Sequence, residues 1–430
     1  MSSTSGPAEV EVTIEKGVHR GQGLGRLSGG QVVFVPGALP GDVWRVALGR
    51  GGRDYYHARP LALLRPGAGR RPPPCRHAGL CGGCSYQELD YDAQVTLKSA
   101  VLHESLARAG VPFEDPIPIV QGPEHGWRTR AALHFDTRGR LGLHEQGSHR
   151  VVDLDECLQL SVELQALCRT LAAALKALAG GPSVRGIDLA ESGDRSRRVV
   201  WLYARQRAPA SAWRNLGLQE LPGLDAAGIQ VGQGRHGRRV WAAGDLHVET
   251  EVLGLRLRSH VCSFFQANRF LVEGLTSAVL EELGEDDGPV LDLYAGVGLF
   301  ALPLAARGHD VRAVEWSAAA AADLRANARQ NGLALDVRQA DVQRVLAGTG
   351  SRPRERIVLD PPRSGVAPGV VQAILDRRPE RIVYVSCDPA TLARDLRLLA
   401  AGGYVAASIK LFDMFPTTFH VETVVRLVRA

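Results

Sequence analysis

The apolar positions of the chain recur in three different ways along its length. Between residues 8 and 66 they occupy every second position of short runs, namely VEVTIE, QVVFV, VWRVAL and YYHARPLALL. A period of two residues is typical of half-buried strands. Turns are indicated by the glycines between the runs, which are Gly21, Gly23, Gly25, Gly29 and Gly30. Several short strands in so few residues predict a small closed β-barrel over residues 1–68, followed by a stiff linker, PGAGRRPPP.

From residue 69 to residue 257 the pattern is mixed. Helical spacing runs from Tyr91 to Ala109 and is ended by Gly110 and Pro112. Strand-like runs follow, namely RTRAALHFD, RLGLHE, RVVWLYA and RRVWAAG, around one helix near residues 161–179. These features predict a central α+β domain over residues 69–257. The helix at 91–110 interrupts this domain and is a candidate for packing on the C-terminal domain instead.

From residue 258 to residue 430 single apolar strands alternate with amphipathic helices. Such βα units build a doubly wound parallel sheet with helices on both faces. We therefore predict a C-terminal α/β domain of the Rossmann-like class. The chain as a whole is expected to be multidomain.

Composition limits the class of protein. The chain has 430 residues, and 45% of them are hydrophobic, which is enough to build several cores. The first twenty residues are polar, and no later stretch approaches the roughly 18 uninterrupted apolar residues that a membrane span needs. We therefore expect a cytoplasmic protein that does not enter a membrane and that needs no obligate protein partner.

The positive charge is unevenly distributed. The net charge of +5 favours a polyanionic partner only mildly, but seven arginines and one acid, Asp54, lie between Arg50 and Arg76. Arginine pairs with phosphates and stacks on bases. A small barrel beside such a patch is consistent with oligonucleotide binding. The alternatives are a barrel that is only a structural cap and an arginine content that reflects a GC-rich coding sequence.

A nucleotide-like cofactor is indicated by the segment VLDLYAGVGLFALPLA. It begins as an apolar strand, passes through Gly296 and Gly298, and continues as a helix whose first N–H groups are free. A second strand ends at Glu315, where a carboxylate can grip a ribose diol. The acid Asp292 ahead of the glycines favours S-adenosylmethionine over NAD. Asp360, at the end of a third strand, extends the same edge of the sheet.

Cys387 is a candidate nucleophile. The stretch RIVYVSCDPATLARDL is a buried strand that runs into a helix capped by Asp388 and started by Pro389. The positive end of that helix is expected to lower the pKa of the thiol. Two further candidates are weaker on their own: Glu422 at the start of a late strand is either an exposed strand end or a base, and the amide Gln266 lies between aromatic residues.

These motifs together resemble the class I S-adenosylmethionine-dependent RNA (uracil-5-)-methyltransferases. The resemblance rests on Cys387 in SCDPATLARDL, Asp360 in DPPR, Gln266 in FFQAN and Glu422 in HVE, and it covers nearly the whole chain. Residues 8–66 are similar to a TRAM domain, and the central domain resembles the iron–sulfur domain of the subgroup that modifies 23S ribosomal RNA.

The resemblance implies a mechanism and a partner. Cys387 would add to carbon 6 of a uracil, carbon 5 would take the methyl group, and Glu422 would remove the carbon 5 proton. The expected RNA partner is 23S ribosomal RNA, with the target base splayed out of its stack. The residues expected to bind the cofactor are Gln266, Tyr294, Gly296, Gly298, Glu315 and Asp360.

Four of the seven cysteines form a metal-binding pattern. Cys75, Cys81 and Cys84 are spaced by five and then two residues, and Cys157 follows far downstream. Four thiolates can hold either a zinc ion or a 4Fe-4S cluster. The resemblance favours the 4Fe-4S cluster, with a structural or RNA-positioning role, because methyl transfer to an activated uracil needs no electron.

Three other functions compete with this interpretation. The first is a methyltransferase of the same family that acts on a transfer RNA uracil. The second is a methyltransferase for small molecules or proteins, against which the barrel and the candidate nucleophile both argue. The third is an RNA-binding protein without catalysis, which the presence of Cys387, Glu422 and Asp360 disfavours.

Overall fold

The computed structural model describes residues 8–176, 184–205, 217–232, 237–286 and 288–430. The N-terminal part is a closed five-stranded barrel, as the sequence predicted, with strand order β1-β2-β3-β5-β4 and pairing of β1 with β4 to close it. Its core consists of alternating apolar residues such as Val12, Ile14 and Val33. The strands are β1 Glu9–Val18, β2 Gln22–Arg26, β3 Val32–Pro36, β4 Val43–Gly51 and β5 Tyr55–Arg65.

Strand β2 corrects the interpretation of two glycines as turn residues. Gly23 and Gly25 lie inside β2, which pairs with β1 and β3. A Cβ on Gly25 would come within 2.4 Å of Val12, and a Cβ on Gly23 within 2.8 Å of Ile14. Glycine is therefore required here because the strand crosses close to the barrel core, a reason that a single sequence does not display.

Asp42 fastens the barrel to the linker that follows it. Its buried carboxylate accepts hydrogen bonds from both Nε and an Nη atom of Arg70, each at 2.8 Å, and from the N–H of Gly67 at 2.9 Å. It also accepts from the N–H of Leu39 and from the indole of Trp44. Burial alone would raise the pKa of Asp42, but the bonds from Arg70 and these other donors outweigh burial and lower it.

We expect Asp42→Ala to lower the free energy of unfolding by about 3 kcal/mol, since it leaves the largely buried Arg70 guanidinium with Glu88 as its remaining carboxylate and removes the acceptor for the N–H groups of Leu39 and Gly67. Because the pKa of Asp42 is lower in the folded state, the stability it contributes is present above its unfolded pKa and is lost as the pH falls through the folded value. Urea unfolding at neutral and acidic pH measures both effects. Equal stability of the two proteins at neutral pH would contradict the prediction.

The central part is a seven-stranded mixed sheet with one long helix, α2, on its apolar face. The strand order is β13-β12-β11-β10-β7-β8-β9, and Leu164, Leu167 and Leu171 of α2 pack against Leu133 and Ile187 of the sheet. The elements are β7 Arg130–Phe135, β8 Leu141–His144, β9 Val151–Asp153, α2 Val162–Lys176, β10 Val184–Glu191, β11 Arg198–Ala204, β12 Ala226–Val231 and β13 Arg238–Ala243.

The segment before this sheet belongs structurally to its neighbours. Helix α1, Tyr91–Arg108, places Leu102 and Leu106 in the core of the C-terminal domain and Leu97 against the barrel residue Leu39. The short strand β6, Ile119–Val120, pairs with a C-terminal strand at the edge of the C-terminal sheet. The helix predicted at 91–110 therefore packs on the C-terminal domain, and it joins that domain to the barrel.

A hairpin links the central and C-terminal cores. It consists of β14, His247–Val252, and β15, Leu255–His260. Val248 packs with the central residue Trp201, whereas Val252 and Leu257 belong to the C-terminal core. The hairpin therefore fixes how the two parts sit against each other.

The C-terminal part is an eight-stranded sheet in the order β18-β17-β16-β19-β20-β22-β21-β6, covered by helices on both faces. All strands are parallel except β22, which runs antiparallel to β20 and β21. Within the described residues, no helix is long and apolar enough to cross a membrane. The elements are α3 Val272–Leu283, β16 Val290–Leu293, α4 Ala301–Ala306, β17 Val311–Glu315, α5 Ala318–Gln330, β18 Asp336–Gln339, α6 Val342–Gly348, β19 Arg356–Leu359, α7 Pro368–Arg377, β20 Arg381–Ser386, α8 Pro389–Ala401, β21 Tyr404–Phe412 and β22 Glu422–Arg429.

Candidate active site

The candidate site lies where the order of the parallel strands reverses. From β16 the chain moves outward to β17 and β18, then returns to β19 on the other side of β16. The loops after β16 and β19 therefore diverge and leave a crevice, which is where open α/β sheets bind their ligands. The glycine loop follows β16, and Asp360 follows β19. The sequence prediction of this edge as the ligand side is consistent with the topology.

The loop after β16 has a backbone that only a few residue types adopt easily. Tyr294, Gly296 and Gly298 have φ values of 68°, 55° and 100°. A Cβ on Gly298 would come within 2.3 Å of Leu324, so this glycine is required by packing against α5. No atom lies within 4 Å of a Cβ built on Gly296, so its backbone faces open space. The loop thus exposes backbone where a ligand can approach it closely.

Glu315, at the end of β17, holds this loop in place. Its Oε2 accepts a hydrogen bond from the N–H of Gly296 at 2.9 Å, and its Oε1 accepts from the N–H of Ser317 at 2.6 Å. Ser317 in turn caps α5 by accepting from Ala320. The carboxylate therefore lies beside the exposed backbone of Gly296, at the position that the sequence analysis assigned to ribose recognition.

Two buried polar side chains, Gln266 and Asp292, have unused hydrogen-bonding capacity. Gln266 is 5% exposed, and its Oε1 has no hydrogen-bond partner among the described residues. Asp292 in β16 is fully buried, and its carboxylate oxygens also lack one. Burial, aided by the charge of Asp360, raises the pKa of Asp292 well above its usual range. Buried polar groups without partners are costly, so they mark places where a ligand can complete the bonding.

Cys387 and Glu422 are brought together by the one antiparallel strand. Ser386, the last residue of β20, is directly paired with Thr423 of β22. Cys387 follows Ser386, and Glu422 precedes Thr423, so the two residues lie opposite each other across the strand pair. Because β22 is reversed, its first residue lies at the same edge of the sheet as the ends of the parallel strands. The two residues therefore share the edge that carries the glycine loop.

The thiol of Cys387 is protonated more firmly than the sequence predicted. Burial raises its pKa to about 12, and the carboxylate of Glu422 raises it further than the guanidinium of Arg363 lowers it. Asp388 does cap α8, accepting hydrogen bonds from the N–H groups of Ala390 and Thr391. The prediction that the pKa of Cys387 is low is therefore wrong, since desolvation outweighs the roughly 1 kcal/mol that a helix dipole contributes.

Asp360 and Glu422 form a pair of buried carboxyls that compete for ionisation. Burial raises the pKa of Asp360 to about 7. Burial and the charge of Asp360 raise the pKa of Glu422 well above its usual range, and Arg363 only partly opposes this. Two nearby carboxylates in a dry site cannot both be charged at low cost. The site can therefore hold and release a proton near neutral pH.

Two residues of this site, Arg363 and His19, were missed by the sequence analysis. Arg363 acts electrostatically on both Cys387 and Glu422, and its only sequence signal was its place in the DPPR motif. His19, on the barrel, contacts Asp388 with its Nε2 3.1 Å from the carboxylate. Burial alone would raise the pKa of Asp388, but the bond from His19 and the helix N–H groups lower it to about 2. No local pattern announces a contact between residues so far apart.

The four cysteines of the predicted metal pattern meet around one cavity. Cys75, Cys81, Cys84 and Cys157 all line it, together with Arg128. Burial raises the pKa of Cys75, Cys81 and Cys157, that of Cys81 to about 11. Among the described residues, no three side chains of His, Cys, Asp or Glu converge as the ligands of a single metal ion would. The other thiols, Cys168 and Cys262, do not line this cavity.

Several donors point at the sulfur atoms of this site. The side-chain amide of Gln87 donates to Cys84 at 3.4 Å, and the N–H of Gly83 donates to Cys81 at 3.4 Å. The hydroxyl of Thr417 donates to Cys84 at 3.2 Å. Hydrogen bonds of this kind favour thiolates over thiols. At Cys81 burial outweighs the bond from Gly83, so the pKa of this thiol is raised to about 11.

Family models match three parts of the chain. A model described as "TRAM domain" matches residues 8–61, which form the barrel. A model described as "Methyltransferase small domain" matches residues 266–382, and one described as "tRNA (Uracil-5-)-methyltransferase" matches residues 350–430. The last range includes Cys387, Glu422 and Asp360.

Whole-chain relatives agree with these matches. The chain is 35% identical to a 23S rRNA (uracil(1939)-C(5))-methyltransferase of Halomonas elongata, over 97% of this chain and 89% of that protein. It is 33% identical to an uncharacterized RNA methyltransferase of Thermotoga maritima, over 97% and 99%. Among solved structures, the Pyrococcus abyssi tRNA (uracil-54, C5)-methyltransferase in complex with S-adenosyl-L-homocysteine superimposes with a TM-score of 0.77 at 25% identity, covering 97% of this chain and 100% of that one.

Proposed function

The chain belongs to the family of S-adenosylmethionine-dependent RNA (uracil-5-)-methyltransferases, and we propose that it methylates carbon 5 of a uridine in 23S ribosomal RNA. The observation that carries the proposal is the position of Cys387 opposite Glu422 across the β20–β22 pair. A nucleophile and a base at one edge of the sheet, beside the glycine loop, are what this reaction requires. Because the chain belongs to this family, uracil is the base to test.

The chemistry follows from the poor reactivity of uracil carbon 5. Cys387 would form a bond from its sulfur to carbon 6, and the electrons of the carbon 5–carbon 6 double bond would shift to make an enolate. Carbon 5 then takes the methyl group. Glu422 would remove the carbon 5 proton, the double bond would re-form, and the sulfur would leave as a thiolate. Cys387 returns to its starting state when this thiolate regains the proton that it lost during attack.

The first proton must leave the Cys387 thiol during attack, because burial and Glu422 hold its pKa at about 12. Asp360, whose pKa burial raises to about 7, is a suitable acceptor at neutral pH. Arg363 lowers the pKa of the thiol and so favours the charged sulfur as it forms. The roles of Cys387, Glu422 and Asp360 are therefore complementary.

The cofactor residues fit S-adenosylmethionine. The open backbone of Gly296 and the carboxylate of Glu315 lie at the crevice end of β16, and Gln266 offers an unpaired Oε1. Glu315 would receive the ribose hydroxyls, and Gln266 and Asp292 would accept from donors of the ligand, while Tyr294 and Gly298 shape the loop. When bound there, S-adenosylmethionine supplies an activated methyl group on a sulfonium.

We expect Glu315→Gln to raise the dissociation constant for S-adenosylmethionine about tenfold, because an amide cannot accept from Gly296, Ser317 and a ribose diol as a carboxylate does. Isothermal titration calorimetry measures it. Asp310→Asn, which changes an exposed aspartate paired with Arg352, is the matched control. Equal affinity of Glu315→Gln and the wild type would show that Glu315 does not contact the ligand.

The four cysteines that line one cavity supply the donor set of a 4Fe-4S cluster, the group that the sequence resemblance implies. The four cysteines would be the cluster ligands. Arg128 beside them would balance part of their negative charge. A bound cluster can change its electron count, but the proposed methyl transfer requires no electron.

The RNA class is the finer part of the proposal. The Halomonas elongata relative names 23S rRNA, and the barrel matches the TRAM model. The Pyrococcus abyssi structure, which also spans the whole chain, names a tRNA uracil, so a transfer RNA substrate is the second candidate. Action on ribosomal RNA would place the enzyme in the cytoplasm.

The test uses labelled S-adenosylmethionine with unmodified 23S ribosomal RNA and, separately, with unmodified transfer RNA. Digestion to nucleosides should give labelled 5-methyluridine from the ribosomal RNA. Label in the transfer RNA alone would move the proposal to the second candidate. Label on a different base, or on neither RNA, would refute the proposed function.

A further inference from the structure

The segment that presents Glu422 to the site is buried and strained. Residues 413–421 connect β21 to β22, and we call them the base segment. Asp413, Met414 and Thr417 in this segment are fully buried. Thr417 has a φ of +64°. A branched side chain in this region is a genuine outlier, and such a conformation persists only when surrounding contacts impose it.

The contacts that impose this conformation come from residues 75–86, which carry Cys75, Cys81 and Cys84 and which we call the cysteine loop. The N–H groups of Ser85 and Tyr86 both donate to the carbonyl of Thr417 at 2.8 Å. The Thr417 hydroxyl donates to the sulfur of Cys84 at 3.2 Å. Ser85 and Tyr86 therefore fix the backbone of Thr417, and Cys84 accepts a hydrogen bond from the Thr417 side chain.

Helix α1 also forms hydrogen bonds with the base segment. The Thr417 N–H donates to Oε1 of Gln94 at 2.9 Å, so every hydrogen-bonding group of Thr417 has a partner from the cysteine loop or α1. Lys98 donates to Asp413 and to the carbonyl of Phe415. These contacts fix the base segment at Thr417, five residues before Glu422. Among the described residues, the hydrogen bonds between the cysteine loop and the base segment all involve Thr417, and Phe419 adds an apolar contact to the cluster of Tyr86 and Leu89.

We propose that Thr417 is a positioning residue through which the four-cysteine site holds Glu422 in its working place. The proposal rests on the proposed function, since it concerns the step that Glu422 performs. This role of the four-cysteine site requires no electron transfer. The cysteine loop, held in shape by its thiolates, would keep Thr417 in its strained conformation and so keep the base segment in position.

Removal of the carbon 5 proton by Glu422 should slow when the hydrogen bonds of Thr417 are lost. In that step the carbon 5 proton moves to the Glu422 carboxylate, the electrons of the broken C–H bond re-form the ring double bond, and the bond from carbon 6 to Cys387 breaks. Addition and methyl transfer precede this step and do not use Glu422. A displaced Glu422 should therefore slow the release of Cys387 and leave RNA covalently attached to the protein.

The test compares Thr417→Gly, which removes the hydroxyl and relieves the strain, with Thr417→Ser, which keeps the hydroxyl. Thr417→Gly should lower kcat about tenfold with KM for RNA unchanged, because small displacements of a catalytic group cost this much or more. It should also accumulate the RNA–protein adduct on a denaturing gel. Thr417→Ser should restore wild-type turnover without adduct. Thr170→Gly, at a helical threonine of α2 remote from the site, is the control for destabilisation alone.

A second readout does not depend on activity. Because the coupling is mutual, Thr417→Gly should release iron to a chelator faster than the wild type and Thr170→Gly do. If Thr417→Gly fails to fold, Gln94→Met, which removes the acceptor for the Thr417 N–H, takes its place with the same expectations.

The outcomes separate this inference from the proposed function. If the wild type makes no 5-methyluridine, the proposed function fails. If the wild type is active but Thr417→Gly turns over normally, or slows without adduct, the inference is wrong while the function stands. Unchanged iron release in a Thr417→Gly variant with normal turnover would refute the coupling from both sides.

Discussion

Cys387→Ala is expected to abolish methyl transfer, with a loss of roughly 10⁴-fold or more in kcat, because removal of a covalent nucleophile leaves only binding and positioning. Carbon 5 of uracil is then never activated, so the bound methyl donor has no acceptor. S-adenosylmethionine should still bind with wild-type affinity, since Cys387 lies in the junction between β20 and α8 rather than on the glycine loop. The measurement is transfer of label to RNA together with calorimetry of cofactor binding.

Cys262→Ala is the matched control, because Cys262 is exposed and does not line the four-cysteine cavity. It should keep wild-type turnover. Substantial methylation by Cys387→Ala would show that no covalent adduct forms through this thiol. Loss of cofactor affinity in the same variant would instead mean that the substitution disturbs the whole crevice.

Glu422→Gln is expected to stop the reaction after methyl transfer and to slow turnover by about 10²- to 10⁴-fold, the usual contribution of a general base. The amide cannot take the carbon 5 proton, so Cys387 stays bonded to carbon 6 and a methylated RNA–protein adduct should accumulate. A denaturing gel with labelled methyl groups detects it. This differs from Cys387→Ala, which should give neither product nor adduct.

The same group predicts the pH dependence. Burial and the charge of Asp360 raise the pKa of Glu422 well above its usual value, and only the ionised form can accept the proton. Turnover should therefore rise with pH until the raised pKa is passed. Glu281→Gln, at an exposed glutamate of α3, is the control and should leave both rate and pH profile unchanged. A Glu422→Gln enzyme that turns over normally without adduct would assign the proton to another base, with Asp360 the next to test.

The parts of this molecule that follow short-range patterns were predicted well. The strand before Cys387, the Asp388 cap and the Pro389 start are all present. Each depends on residues within a few positions of one another, because hydrogen bonding and burial within a turn or strand repeat with a fixed period. The four cysteines of the predicted set do line one cavity, while the cluster that they would bind stays a prediction.

Errors arose where distant segments meet. Gly23 and Gly25 were assigned to turns, whereas the need for them comes from Val12 and Ile14 across the barrel. The pKa of Cys387 was expected to be low because of the adjacent helix, whereas burial and Glu422 raise it. In both cases a local rule was applied correctly, and a stronger non-local term decided the outcome.

The sequence by itself therefore determined the family, the strand and helix pattern and the chemical groups available, because these are written in neighbouring residues and motifs. Only the tertiary structure decided that Cys387 faces Glu422, that His19 of the barrel contacts Asp388, and that Thr417 is held by the cysteine loop. The physical reason is that these contacts join residues far apart along the chain. Their geometry is set by the reversal of β22 and by side-chain packing between domains, which no local period records.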